Sequence, residues 1–282
     1  MTLEAWLAKA EAQLRDGPHP DRARRDAETL LLHVIRSERA ALLVRWKEVL
    51  DESESEHYLE LVARRQAGEP IQYILGETEF YGLPFRVARD VLIPRPETEH
   101  LVEKAIELAA HFRAPRIVDV GAGSGCIAVA LAARLPHALL TATELAASAL
   151  AIARRNAERN GVAGRIRFFR GNLLAPAAGE QFEIVVSNPP YVPKADRDAL
   201  AVEVRDYEPP LALFAGAEGL DVFRALIPEA FAALVPGGYL ALEIGHGQAE
   251  PVRALLGAAG FTEIEFTPDL QGIPRVVTAR RG

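Results

Sequence analysis

A single cysteine, Cys126, stands in a chain of 282 residues. That excludes an intramolecular disulfide and any metal site built from several cysteines. The seven histidines show no metal-ligand spacing, so no metal site is expected. No apolar run reaches the ~18 residues that suggest a membrane span, and no membrane association is expected. The opening stretch MTLEAWLAKAEAQL is amphipathic, with Glu4 near its front, and lacks an apolar core followed by a cleavage site. It does not read as a signal peptide, and a cytoplasmic location is the expectation. An excess of positive charge is missing too: 32 Lys and Arg face 39 Asp and Glu, for a net charge of −7. Gripping a phosphate backbone regardless of sequence needs a basic surface, so stable nucleic-acid binding is not expected. Internal repeats and low-complexity tails are absent as well.

What remains reads as soluble and globular, with 49% hydrophobic and 25% charged residues. The length suits one large or two ordinary domains. Apolar residues recur at helical spacing in AWLAKAEAQL, DAETLLLHVI and HYLELVARR, so residues 1–72 are expected as a small helical bundle, with partner recognition as the role expected of that domain. DESESE supplies acidic chemistry for a helix start; a docking surface for a basic protein is the alternative. Aromatic and β-branched residues around Gly76 and Gly82 predict a β-hairpin linker over 73–95. From residue 96 to 282 helix-like and strand-like segments alternate. The strands are RIVDV, ALLTATEL, RIRFFRGNLL, FEIVVSNPPY, GGYLALEIG, FTEIEFTP and RVVTARR. This pattern predicts an α/β domain with a mostly parallel seven-stranded sheet covered on both faces. Its ligand site belongs at the carboxyl ends of the strands.

VDVGAGSGC puts Gly121, Ala122, Gly123, Ser124 and Gly125 between a strand and a helix. Glycines let the backbone turn tightly and approach a ligand, and the helix start offers unpaired N–H groups. Nicotinamide enzymes and methyltransferases share such a loop. The next strand ends in Glu144, about 20 residues on, where a carboxylate can accept both hydroxyls of a ribose. The third strand leads into Asn172 and Leu173, which suit hydrogen bonding to, and covering of, an adenine. Cys126 reads as packing, and His246 as a residue at a surface helix cap.

The fourth strand ends in VVSNPPYVP. Asn188 offers a carbonyl acceptor and two N–H donors, and Pro189 and Pro190 offer carbonyls without N–H groups. Tyr191 adds a flat ring with a polar tip. The tetrapeptide reads as a seat for something flat that carries an NH2 group, an amide or a nucleobase.

Together these residues resemble the class I S-adenosylmethionine-dependent methyltransferases. More narrowly, GEPIQYILGETEFYGLPFRV, VLIPRPETE and VVSNPPYVP are similar to the PrmC/HemK family. That resemblance covers nearly the whole chain. It implies a Rossmann-like sheet, S-adenosyl-L-methionine as cofactor and S-adenosyl-L-homocysteine as product. It also implies methylation of the glutamine side-chain nitrogen (N5) in the Gly-Gly-Gln motif of class 1 peptide-chain release factors, by a monomer. Gly121 to Gly125 take the methionine part of the cofactor. Glu144 takes the ribose, where the family more often has aspartate. Asn172 stands where aspartate is common, and Leu173 flanks the adenine. Asn188 also borders the cofactor, and Arg95, Pro96, Glu97 and Thr98 match a family segment near it. Tyr207, Glu208 and Pro209 fit a loop at the substrate entry.

An amide nitrogen is a poor nucleophile because its lone pair is delocalised, the resonance behind a rotation barrier of roughly 18–20 kcal/mol. The Asn188 carbonyl and the Pro189 carbonyl can each accept one N–H of that amide and aim the lone pair at the methyl. On this reading Asn188, Pro189 and Tyr191 are catalytic, and with Pro190 they bind the substrate. The rival is a nucleic-acid base amino-methyltransferase, acting on adenine N6 or guanine N2 of a flipped base. A nicotinamide oxidoreductase would leave the tetrapeptide without a role, and a non-enzymatic cofactor-binding module is disfavoured by its presence.

Overall fold

Asp51 begins the fourth helix by a reciprocal bond pair. Its carboxylate accepts from the Glu54 N–H at 2.8 Å, and Glu54 accepts from the Asp51 N–H at 3.0 Å. This capping box is what DESESE encodes, since it satisfies donors that a helix start leaves open. A computed structural model gives the fold, describing the backbone of residues 1–282 and the side chains of all but residues 41 and 43. The chain divides into two compact units, residues 1–76 with 200–207, and residues 77–199 with 208–282.

The first unit holds α1 (Leu3–Arg15), α2 (Ala23–Val34), α3 (Arg39–Arg45), α4 (Glu52–Gln66) and α5 (Ile71–Leu75). Leu3, Leu7, Leu30, Leu31, Tyr58, Leu61 and Val62 form its core. The Tyr58 hydroxyl, inside that core, donates to the Ala27 carbonyl at 3.0 Å. Arg65 is buried as well. Its guanidinium meets Asp26 at 2.6 Å, Glu203 at 3.1 Å and the Glu69 carbonyl at 3.0 Å. Glu203 comes from the distant segment Leu200–Tyr207, whose Tyr207 hydroxyl donates to the Ala67 carbonyl at 2.9 Å. A buried guanidinium requires such partners, because an uncompensated charge in an apolar core is costly.

The second unit opens with a hairpin, β1 (Glu77–Phe80) and β2 (Leu83–Arg86). Expected as a linker, the hairpin contributes Phe80 and Phe85 to the unit's own core. Then follow α6 (Thr98–Ala109), β3 (Arg116–Val120), α7 (Cys126–Arg134), β4 (Leu139–Glu144), α8 (Ala147–Arg159), β5 (Ile166–Arg170) and β6 (Phe182–Ser187). The short α9 (Val202–Arg205) belongs to the first unit. The second unit continues through α10 (Pro210–Leu213), α11 (Asp221–Ala233), β7 (Leu234–Glu243), α12 (Ala249–Ala258), β8 (Phe261–Pro268) and β9 (Pro274–Arg281).

The seven-stranded sheet has the order β5-β4-β3-β6-β7-β9-β8. Pairing is parallel from β5 to β7, and β9 runs antiparallel to both β7 and β8. Side chains alternate between faces as a strand requires. Ile184 and Val186 join one core with α6, α7 and α8, and Val185 joins the other with α11 and α12. Strand order reverses between β3 and β6, and a crevice opens there at the strands' carboxyl ends. The Ser187 hydroxyl donates to the Val120 carbonyl at 2.6 Å and ties the two rims together. His246 is exposed, and the N-cap of α12 is Gln248 instead, two residues later. Among the described residues no helix is long and apolar enough to cross a membrane.

Candidate active site

The crevice between β3 and β6 widens into an open cleft. Its walls bring together Gly121, Ala122, Gly123, Ser124, Glu144, Asn172, Leu173, Asn188 and Pro190, all singled out in the sequence. Arg95, Thr98, Leu145, Leu211 and Ala212 line it too. Gly125, Pro189 and Tyr191 are not among the walls.

Gly121, Gly123 and Gly125 all have positive φ, 74°, 54° and 79°, a conformation that only glycine adopts without cost. Gly125 has a second reason to lack a side chain. A Cβ there would stand 2.9 Å from the Ala153 Cβ on α8, so the residue serves close packing beneath the loop. Asn156 of α8 secures the arrangement. Its side chain donates to the Ser124 carbonyl at 2.8 Å and exchanges bonds with the Arg86 backbone at 2.7 and 3.0 Å. Cys126 is buried behind the loop, and burial pushes its thiol up to about 12, so it packs as the sequence suggested.

Glu144 closes the loop from β4. One carboxylate oxygen accepts from the Gly123 N–H at 2.9 Å, the other from the Ala146 N–H at 2.8 Å. An ionised carboxylate has about four lone-pair sites, so capacity for a diol remains. Asp119 is fully buried below the loop. One of its oxygens accepts from the Ala128 N–H at 3.0 Å, and the other has no partner among the described residues. Burial pushes its carboxyl up to about 7, the Ala128 N–H opposes the rise, and the charge of Glu144 adds to it. Leu173 holds φ of 45°, uncommon for a residue with a branched side chain, and packs partly buried at the cleft wall. Glycine-loop backbone, carboxylate and apolar walls at Leu145 and Leu173 suit a ligand with a polar tail, a ribose and a flat base.

On the far side, the Asn188 Nδ2 donates to the Thr98 hydroxyl at 3.1 Å, and Thr98 donates to Glu243 at 2.6 Å. The Tyr191 hydroxyl donates to the other Glu243 oxygen at 3.1 Å. Glu243 is only 2% exposed. Burial pushes its carboxyl above the usual range and Glu97 adds to that, while Thr98, Tyr191 and Arg275 hold it back. Burial, then the Glu243 charge, push the Tyr191 phenol above its ordinary value. The backbone exit of the tetrapeptide is clamped by Gln248. Its Nε2 donates to the carbonyls of Tyr191 at 3.0 Å and Gly219 at 3.2 Å, and its Oε1 accepts from the Gly245 N–H at 2.9 Å. Arg95 donates to both carboxylate oxygens of Glu208, at 2.5 and 2.7 Å. Sequence reasoning assigned no part to Glu243 or Gln248. The signal for Glu243 was a lone charge closing the apolar strand YLALEIG.

Residues 5–76 match the family described as the PrmC N-terminal domain, and residues 98–204 match the Methyltransferase small domain. A release factor glutamine methyltransferase of Geobacter sulfurreducens is 46% identical over 93% of this chain and 91% of its own length. One of Koribacter versatilis is 43% identical over 100% of this chain and 99% of its own. Among solved structures, the catalytic domain of hMettl16 in complex with the MAT2A 3′UTR hairpin 1 aligns with a TM-score of 0.58 at 20% identity. That alignment covers 85% of this chain and 84% of the other, and at that identity it speaks for the fold.

Proposed function

The chain belongs to the family of release factor glutamine methyltransferases, and on that premise we propose that it methylates the side-chain nitrogen (N5) of the Gly-Gly-Gln glutamine in class 1 peptide-chain release factors. The observation that carries this reading is the Asn188 amide at the cleft wall, facing the glycine loop across the switch between β3 and β6. S-adenosylmethionine, when bound, supplies a methyl group on a positively charged sulfur, which leaves as a neutral thioether.

The chain's residues hold that cofactor and aim the nucleophile. Backbone groups of Gly121 to Ser124 take its methionine part. Glu144, already fixed by Gly123 and Ala146, receives the ribose hydroxyls, and Asn172 and Leu173 receive the adenine. The glutamine amide enters beside Asn188. Its two N–H groups donate to the Asn188 Oδ1 and the Pro189 carbonyl, which turns the nitrogen lone pair toward the methyl and stabilises positive charge growing on nitrogen. The proton leaves late, to water, so no side chain has to act as base before attack. The helical unit recognises the release factor.

Two measurements test this. Labelled S-adenosylmethionine should mark a purified unmethylated release factor, leave its Gly-Gly-Gln Gln→Ala variant unmarked, and leave DNA and RNA unmarked. Label in nucleic acid, with none in the factor, would overturn the substrate. For the cofactor site, Glu144→Gln removes a charged acceptor from the ribose, worth roughly 1.5–2 kcal/mol. Titration calorimetry should then give a Kd for S-adenosylmethionine raised about 10- to 30-fold, with kcat at saturation within about threefold of wild type. An unchanged Kd would remove Glu144 from the site.

A further inference from the structure

We propose that Thr98 and Glu243 position the Asn188 amide, fixing which of its two ends is offered to the substrate; this rests on the reading of the cleft given above.

Counting hydrogens fixes the orientation of the Asn188 amide. The two ends of a side-chain amide have nearly the same shape, so the protein must choose between them by hydrogen bonding. A threonine hydroxyl has one hydrogen to donate and lone pairs to accept. Thr98 Oγ1 stands 2.6 Å from a Glu243 oxygen, within the range for a hydroxyl donating to a carboxylate. When Glu243 is ionised, as on the alkaline side, it accepts only, so the single Thr98 hydrogen is committed to it. Toward Asn188, 3.1 Å away on the other side, Thr98 has lone pairs alone. The atom of Asn188 facing it must therefore be the NH2 nitrogen, which leaves Oδ1 as the end free to accept in the cleft. Were the amide reversed, two acceptors would face each other at Thr98, and an NH2 group would confront the NH2 of the incoming glutamine.

Three elements meet in this relay: α6 brings Thr98, β7 brings Glu243, and the stretch after β6 brings Asn188. Tyr191 donates to the second Glu243 oxygen at 3.1 Å. The tetrapeptide thus grips the same carboxylate at both ends, directly through Tyr191 and through Thr98 from Asn188. The Thr98 and Tyr191 hydroxyls hold the Glu243 carboxyl back toward its ionised, accepting form, against the opposing effect of burial. Thr98 and Glu243 are positioning residues, since they act on the substrate through Asn188.

The test uses full-length Thr98→Val, Thr98→Ser, Glu243→Gln and the Thr98→Val/Glu243→Gln pair, assayed on the alkaline side of neutrality with an unmethylated release factor. Thr98→Val keeps the shape and removes the hydroxyl. It should lower kcat about 10- to 30-fold, the scale of an unsatisfied buried polar group. KM for the factor and Kd for S-adenosylmethionine should stay within about twofold of wild type. Thr98→Ser should recover kcat to within about threefold of wild type, and adding Glu243→Gln to Thr98→Val should cost less than about twofold more. Equal losses in Thr98→Val and Thr98→Ser, or a loss confined to KM, would overturn the relay. A second readout needs neither substrate nor cofactor. In the free enzyme the Asn188 side-chain NH2 resonances, identified by their loss in Asn188→Ala, should be protected from hydrogen exchange and lose at least about tenfold of that protection in Thr98→Val. Unchanged protection would overturn the proposal whatever the enzyme's substrate. A wild-type enzyme that labels no release factor would instead sink the substrate reading and leave the exchange result standing.

Discussion

Asn188→Ala is expected to lower kcat by roughly 10²–10³-fold, the loss that follows removal of one preorganised group at a site of developing charge. The substitution deletes the Oδ1 acceptor and with it one of the two bonds that hold the glutamine amide. It leaves the glycine loop, Glu144 and Leu173 in place, so Kd for S-adenosylmethionine should stay within about threefold. Thr98 and Glu243 remain bonded to one another, so the fold loses little. Single-turnover rates at saturating cofactor, paired with calorimetry of cofactor binding, separate the two effects. A kcat within about threefold of wild type would mean that the amide is oriented by something else. A matching loss in cofactor affinity would make Asn188 a cofactor ligand first.

The second large effect concerns stability. Gly219 has φ of 74°, and a Cβ there would lie 2.2 Å from the Tyr191 carbonyl oxygen and 2.8 Å from the Gln248 Nε2. The oxygen is main chain, held by the Gln248 clamp at 3.0 Å, so it has no easy way to yield. Gly219→Ala combines left-handed strain of roughly 1–2 kcal/mol with overpacking of roughly 1–3 kcal/mol. A total of about 2–5 kcal/mol should lower the Tm of the sheet unit by roughly 5–15 °C. Gly161 provides the control. Its φ is 70°, with nothing within 4 Å of its would-be Cβ, so Gly161→Ala carries only the left-handed strain, roughly 1–2 kcal/mol. Equal melting of the two variants would show that the contact with Tyr191 relaxes freely.

The parts of this molecule that could be read in advance are those whose physics is local. Alternating segments announced the sheet, glycines after RIVDV announced the loop, and the strand-end rule brought Asn188 to the same crevice as Glu144. Residues that act through long-range partners were silent. Thr98 and Glu243 are 145 positions apart, and nothing near either names the other. Tyr191 was read as a catalytic and substrate-binding residue, and nothing near it in the sequence announces that its hydroxyl donates to Glu243. The hairpin, read as part of a linker over 73–95, carries no sign in its two short strands of where it docks; Phe80 and Phe85 are buried in the core that α6, α7 and α8 share. The segment Leu200–Tyr207 shows no apolar periodicity. It joins the helical unit through Glu203 and Tyr207 instead.

That last segment carries a consequence for how the chain is made. The helices ending at Gly76 leave the ribosome long before Leu200 does. At a synthesis rate of about 5–20 residues per second, the interval between those two positions lasts roughly 6–25 s. Throughout it the nascent helices have Asp26 as the carboxylate for Arg65 but no Glu203, and Ala67 has no tyrosine hydroxyl to receive. The first unit to be started is therefore completed only at residue 207, after residues 77–199 of the second unit have been made. Its last ionic and hydrogen-bond partners arrive only after the tetrapeptide Asn188–Tyr191 has been translated, and a gene fragment cut at Gly76 encodes the helices without the piece that completes them.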